Sequence, residues 1–183
     1  MAKFEPLKLA GTWAIRLEPH FDDRGYLVVA YGNDLFEERG LVTGWVQDNE
    51  SLSRRGVIRG LHFQNPPHAE TKLVRVVAGA VWDVFVDLRR SSPTYGQWDA
   101  IELSEDNHIS AYIPRGFAHG FCTLSDRAVV VYKVDRYYVP AAAGGVLWND
   151  EALAIPWPLG GKAPLLSSRD LGLPSLRDLV SPF

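Results

Sequence analysis

Four polar side chains interrupt otherwise apolar, strand-like stretches of this sequence. His62 lies in Gly56-Val57-Ile58-Arg59-Gly60-Leu61-His62-Phe63-Gln64, and Lys72 opens Lys72-Leu73-Val74-Arg75-Val76-Val77. His119 lies in Pro114-Arg115-Gly116-Phe117-Ala118-His119-Gly120-Phe121, and Tyr132 follows the run Val129-Val130-Val131. Imidazole, ammonium and phenol are groups that move protons or hold charge inside a closed site. Each also has a plain structural reading. A single histidine can be a satisfied core residue, Lys72 a rim charge, Tyr132 a core phenol in need of a hydrogen-bond partner, Asp83 a turn-facing carboxylate and Asp170 a loop cap. Only their combination points to chemistry.

Strand alternation predicts Ile58, Gly60, His62 and Gln64 on one face and Val57, Arg59, Leu61 and Phe63 on the other. Gly60 then leaves room beside His62, and the glycines around His119 let the backbone bend close to it. A metal reading draws on His62, Gln64, His68, Glu70 and His119. It is weakened by Gln64, a poor transition-metal ligand placed where a second histidine would serve, so no metal is expected. Cys122 has no partner motif for nucleophilic catalysis, and no Gly-rich phosphate loop of the Walker or dinucleotide type occurs.

The elements that must position these groups are short. Val-, Ile- and aromatic-rich runs at Tyr26 to Tyr31, Gly44 to Asn49, Val57 to Gln64, Leu73 to Leu88, Trp98 to Leu103, His108 to Ile113 and Ala128 to Tyr138 predict strands. Val81-Trp82-Asp83-Val84-Phe85-Val86 is apolar at both parities, so both faces of its sheet should be covered. One helix is expected over Asp34 to Arg39, capped by Asn33 or Asp34 and stopped by Gly40, and the final segment has turns with room for one more short helix. The 16 Gly and 12 Pro are spread along the chain, which argues against long helices. The expectation is an all-β sandwich, barrel or jelly roll forming one domain over residues 1–183.

Composition sets outer limits. The chain has 183 residues with 19 basic and 22 acidic side chains, a formal charge of −3 that carries no basic excess for nucleic acid. One cysteine excludes a disulfide framework and suits a reducing cytoplasm. No apolar run approaches the length of a membrane span, and the first residues lack the apolar stretch of a signal peptide.

Taken in order, the motifs resemble the dTDP-4-dehydrorhamnose 3,5-epimerase family, nucleotide 4-keto-6-deoxysugar epimerases of the cupin-like jelly-roll type. The resemblance rests on Asp23-Arg24-Gly25, Gln47-Asp48-Asn49, Arg59-Gly60-Leu61-His62-Phe63-Gln64, Lys72-Leu73-Val74-Arg75 and Asp83-Val84-Phe85-Val86-Asp87-Leu88-Arg89. It continues through Ser92-Pro93-Thr94-Tyr95-Gly96, the segment around His119, Trp148-Asn149-Asp150, Ile155-Pro156-Trp157-Pro158 and Leu166-Ser167-Ser168-Arg169-Asp170. It implies cofactor-independent proton transfer beside a ketone. A C4 carbonyl acidifies the C3 and C5 protons of the hexose, so the site needs a base, an enolate stabiliser and an acid on the opposite face. By the resemblance these are His62, Lys72 and Tyr132, with Asp170 orienting His62 and Asp83 in reserve for that role. Arg24, Gln47, Asn49 and Arg59 match positions that contact the nucleotide diphosphate and sugar. His119 matches a substrate contact near the carbonyl, and Arg169 stands where the family commonly has Lys.

Two positions depart from the family pattern. Val29 and Ala143 stand where glutamates commonly contact nucleotide and substrate, which leaves CDP- or GDP-linked sugars, or a non-catalytic sugar-nucleotide-binding cupin, as alternatives. The family's habit further implies a homodimer built by strand exchange, with Arg24 completing the neighbour's site.

Overall fold

The computed structural model describes residues 2–183. Thirteen strands run as β1 (Lys3–Pro6), β2 (Trp13–Arg16), β3 (His20–Asp22), β4 (Gly25–Leu27), β5 (Gln47–Arg54), β6 (Ile58–Gln64), β7 (Lys72–Ala78), β8 (Ala80–Asp87), β9 (Trp98–Ser104), β10 (Ile109–Ile113), β11 (Phe117–Thr123), β12 (Arg127–Val134) and β13 (Ala143–Gly145). Two short helices, α1 (Asn33–Glu37) and α2 (Ser168–Leu171), complete the set with one 3₁₀ turn at Pro140–Ala142. A six-stranded sheet, β1-β2-β10-β7-β12-β5, faces a five-stranded sheet, β13-β6-β11-β8-β9, and β3-β4 form a separate hairpin. All these pairings are antiparallel. This is a β-sandwich, as so many short, apolar, turn-bounded runs predict, and it agrees with the cupin-like type that the family resemblance implies.

Burial follows the alternation. Val74 and Val76 of β7, Ala128 and Val130 of β12, Val81 and Phe85 of β8 and Phe117 and Phe121 of β11 meet between the sheets. The opposite parity of β8 and β11, Val84, Val86 and Ala118, packs under the chain beyond β13 through Leu153, Ile155 and Trp157. The five-stranded sheet is therefore covered on both faces, as the double-parity pattern of Val81 to Val86 requires. On the outer face of the other sheet, α1 and its flanks cover Ile15, Leu73 and Tyr112 with Phe36.

Several boundaries differ from the sequence expectation. The run Leu73 to Leu88 is two strands, split at Gly79, whose φ is +74° and whose added Cβ would lie 2.1 Å from the Arg127 carbonyl oxygen. Only Tyr26 and Leu27 of the Tyr26 to Tyr31 run are strand, within β4. The residues after it leave the hairpin, where Val28, Ala30 and Tyr31 pack against the Phe36 cluster. The run at Gly44 begins its strand at Gln47 and continues to Arg54, and the Ala128 to Tyr138 run ends as strand at Val134. Helix α1 stops at Glu37 and has Gly32 at its N-cap, because Asn33 spends its side chain on Glu37 Oε1 at 2.6 Å instead of capping.

Candidate active site

A cavity of about 510 Å³ opens at one end of the sandwich interior. Arg59 and His62 of β6, His119 of β11, Lys72 of β7 and Ser51, Val130 and Tyr132 of β5 and β12 line it, together with Ser167, Arg169 and Asp170 from α2 and its cap. Two sheets and the chain near α2 thus bring together residues up to 119 positions apart, from Ser51 to Asp170.

The strict alternation expected for β6 fails at its centre. His119 of β11 pairs with His62, but Phe121 pairs with Arg59, so three residues of β6 answer two of β11. This bulge reverses parity. Arg59 shares the cavity with His62, while Leu61 and Phe63 turn into the outer cluster. The space beside Gly60 belongs to the neighbouring backbone rather than to a ligand: a Cβ there would lie 2.5 Å from Gly120 Cα, at a φ of +139°.

His62 Nε2 and Asp170 Oδ1 are 2.6 Å apart, with Asp170 nearly inaccessible. Because Nε2 is engaged, Nδ1 is the nitrogen left for a substrate. Burial pushes the Asp170 carboxyl up, but hydrogen bonds and charge from His62, with help from Ser167 and the Gly60 backbone, outweigh it and hold the group below the usual carboxylate range. Asp170 is not itself the cap of α2: the Ser167 hydroxyl accepts from the Asp170 amide at 3.1 Å, which fixes the turn that delivers the carboxylate. Asp83, the reserve partner for His62, is elsewhere. Its Oδ2 meets His119 Nε2 at 2.8 Å in full burial, while Oδ1 has no hydrogen-bond partner.

Lys72 is not a rim charge. Its side chain is only 10% exposed and its ammonium lies 3.2 Å from Glu70 Oε1. Tyr132 is half-buried, pairs across β5 with Asn49 and across β7 with Val74, and places its phenol at the cavity without a protein hydrogen bond. Burial first, and the Glu70 charge second, push its ionisation above the ordinary tyrosine value against an opposing pull from Arg59. Gln47 and Asn49 share the parity of Ser51 on β5 and are joined by a 2.7 Å hydrogen bond, but neither lines this cavity; Asn49 lines a separate pocket that also touches Tyr132. Arg59 is held by the Ser53 hydroxyl at 2.9 Å, and Arg169 reaches the Tyr138 hydroxyl at 3.4 Å.

Arg24 is not brought to this cavity. It sits at the tip of the β3-β4 hairpin, 89% exposed and paired with Asp22. Val29 lies exposed just beyond that hairpin, and Ala143 opens β13 opposite Gln64. Of the residues raised by the metal reading, Gln64 is fully committed to protein partners, and among the described residues no group of three or more His, Cys, Asp or Glu could hold a metal ion. Sequence reasoning did not single out Ser51, and it raised Glu70 only as part of the metal reading. Ser51 Oγ is buried without a partner at the cavity, and Glu70 stands behind Lys72. The alternation of β5 signals the first; nothing local signals the second.

A β-sandwich whose interior cavity gathers a carboxylate-paired imidazole, a lysine and a phenol holds the kinds of group that proton-transferring isomerases use. The model of the family described as dTDP-4-dehydrorhamnose 3,5-epimerase matches residues 6–178. The dTDP-4-dehydrorhamnose 3,5-epimerase of Salmonella typhimurium is 48% identical over 173 residues, covering 93% of this chain and 94% of that protein. The crystal structure of the Bacillus anthracis enzyme, with TDP and PPi bound, superposes with a TM-score of 0.93 at 46% identity over 96% of this chain and 100% of that one. That of the Legionella pneumophila epimerase in complex with dTDP-4-keto-L-rhamnose gives a TM-score of 0.93 at 38% identity, covering 98% and 95%. The chain belongs to the dTDP-4-dehydrorhamnose 3,5-epimerase family.

Proposed function

We propose that this chain epimerises a dTDP-linked 4-keto-6-deoxyhexose at C3 and C5, as a single domain and without a cofactor. The observation that carries this reading is the opposition of the His62–Asp170 pair, on the five-stranded side, to Tyr132 and Lys72 of the six-stranded sheet in one cavity. In this reading His62, oriented by Asp170, removes the proton beside the C4 ketone. Lys72, with His119 nearby, holds the enolate oxygen, and Tyr132 returns a proton to the opposite face. Arg59 and Arg169 bring positive charge to the cavity wall, where a guanidinium fork suits the diphosphate. The bound TDP and dTDP-4-keto-L-rhamnose of the two solved relatives favour the thymidine nucleotide over the CDP and GDP alternatives.

The exposed hairpin supports a partner. Phe21, Leu27 and Val29 are 71%, 74% and 66% exposed beside Arg24, an apolar surface suited to a second copy exchanging strands and lending Arg24 to its neighbour's site. Among the described residues no helix is long and apolar enough to cross a membrane, and a sugar-nucleotide enzyme with one free, buried cysteine suits the cytoplasm. The direct experiment is incubation with dTDP-4-keto-6-deoxyglucose in deuterated water. Deuterium at C3 and C5 is expected. Its absence from both centres with dTDP, CDP and GDP substrates alike overturns the reading.

A further inference from the structure

Glu70 does not line the cavity, yet among the described residues it is the only carboxylate paired with Lys72. Its two oxygens are divided: Oε1 lies 3.2 Å from the Lys72 ammonium, and Oε2 accepts from Gln64 Nε2 at 2.7 Å. The orientation of the Gln64 amide is fixed from its other end. The backbone N–H of Val139 can only donate, and it donates to Gln64 Oε1 at 2.7 Å. Gln64 Nε2 must then face the remaining groups, which are all acceptors: the His68 carbonyl at 3.1 Å, the Tyr137 carbonyl at 3.2 Å and Glu70. Both the Gln64 amide nitrogen and the Lys72 ammonium therefore present donors to residue 70. Only a side chain with acceptors at both ends satisfies them.

Resting on the proposed role of Lys72, we infer that Glu70 is a positioning residue, an acceptor-only clamp locked by Gln64 that holds the Lys72 ammonium where the enolate oxygen forms. Glutamine at position 70 has the same size, but one of its two ends is a donor. Turned one way its NH2 opposes Lys72, and turned the other way it opposes the Gln64 NH2. Either orientation leaves a donor against a donor in a largely buried place, and the lysine is released from its geometry.

The experiment compares deuterium wash-in rates of wild type, E70Q and E70D on dTDP-4-keto-6-deoxyglucose, with thermal melting and calorimetric dTDP affinity on the same samples. E70Q is expected to slow exchange by on the order of ten- to a hundredfold, the scale of a misplaced catalytic group. The dTDP affinity should stay within about threefold, because the nucleotide contacts are untouched. E70D, which keeps acceptors at both ends although it is shorter, should exchange faster than E70Q; a space-filling role predicts the reverse order. If E70Q shows no cooperative melting, E70D and E70N are compared instead, since they match in size and differ only in that acceptor-only end. E70Q at the wild-type rate, or an amide variant as fast as its carboxylate counterpart, overturns the inference. Absence of exchange in wild type overturns the proposed function instead.

Discussion

Arg59 and His62 lie three positions apart on one strand, an odd offset, and yet line the same cavity, because the bulge at Gly60 gives β6 one residue more than β11. The bulge depends on two glycine backbones in contact. A Cβ at Gly60 would meet Gly120 Cα at 2.5 Å, and one at Gly120 would meet the Arg59 carbonyl oxygen at 2.7 Å. Gly60→Ala is therefore expected to destabilise the fold by about 2 kcal/mol or more, since it adds both a positive-φ penalty and a backbone clash. Thermal melting measures the loss. A variant that melts with wild type would show that β6 can be rebuilt without the bulge.

The short contact between His62 and Asp170 predicts a large kinetic effect from a small change. Asp170→Asn keeps the shape but removes the charge that supports an imidazolium, so wash-in of deuterium should fall roughly a thousand- to ten-thousandfold. His62→Ala should abolish it. Exchange surviving in His62→Ala at a rate near that of wild type assigns the base elsewhere.

The acid role proposed for Tyr132 separates the two halves of the reaction. In Tyr132→Phe the base is untouched, so solvent deuterium should still enter the sugar while inversion at one centre is impaired, as read by NMR of the product. The raised ionisation of this phenol also carries a sign: the acid form persists as pH rises past the ordinary tyrosine value of about 10, so loss of rate from its deprotonation should begin only above that. Unchanged product formation by the phenylalanine variant removes Tyr132 from the mechanism.

Acid stability has a source outside the cavity. Asp87 is fully buried at the end of β8. Burial pushes its carboxyl up, but a two-point pair with Arg89 and the hydroxyls of Ser92 and Thr94 overcome this and hold it down at about 2, against 3.8 for an ordinary aspartate. A lowered folded-state value means the contribution is complete above about pH 4 and is lost as pH falls through 2. It amounts to about 2 kcal/mol. Asp87→Asn should lower the melting temperature at pH 7 and flatten the acid side of the stability profile. Equal acid dependence in both proteins would locate it elsewhere.

Assembly through the hairpin predicts a solution mass near twice the 20.4 kDa of one chain. Arg24→Ala should raise KM for the sugar nucleotide with little change in melting temperature, because among the described residues of one chain the Arg24 side chain hydrogen-bonds to Asp22 alone and is otherwise exposed. Sedimentation at the monomer mass with full activity would contradict strand exchange.

Much of this architecture was legible because burial writes itself into side-chain order. The double-parity run Val81 to Val86 implied a sheet covered on both faces, and it is. The single run Leu73 to Leu88 concealed a turn because Gly79 alone, without Pro, Asn or Asp beside it, makes the break. Local pattern also placed Arg59 on the wrong face, since a bulge depends on how two strands fit and not on either one. The pairing of His62 with Asp170 spans 108 positions, and only the family resemblance suggested it; the alternative, Asp83, is the partner of His119. Glu70 stayed hidden because its importance comes from the fixed orientation of an amide six residues earlier.

The proposed base, His62, and the proposed acid, Tyr132, stand on different sheets, so their separation depends on how the two sheets pack. Val74, Phe121 and Val130, packed between those sheets, act as spacers in a caliper whose jaws are His62 and Tyr132. Interiors packed to crystal density transmit the loss of even one methylene to their surroundings. Hydrocarbon volume that touches no proton thus becomes a kinetic variable, and turnover can be tuned by apolar substitutions that leave every catalytic group in the chain unchanged.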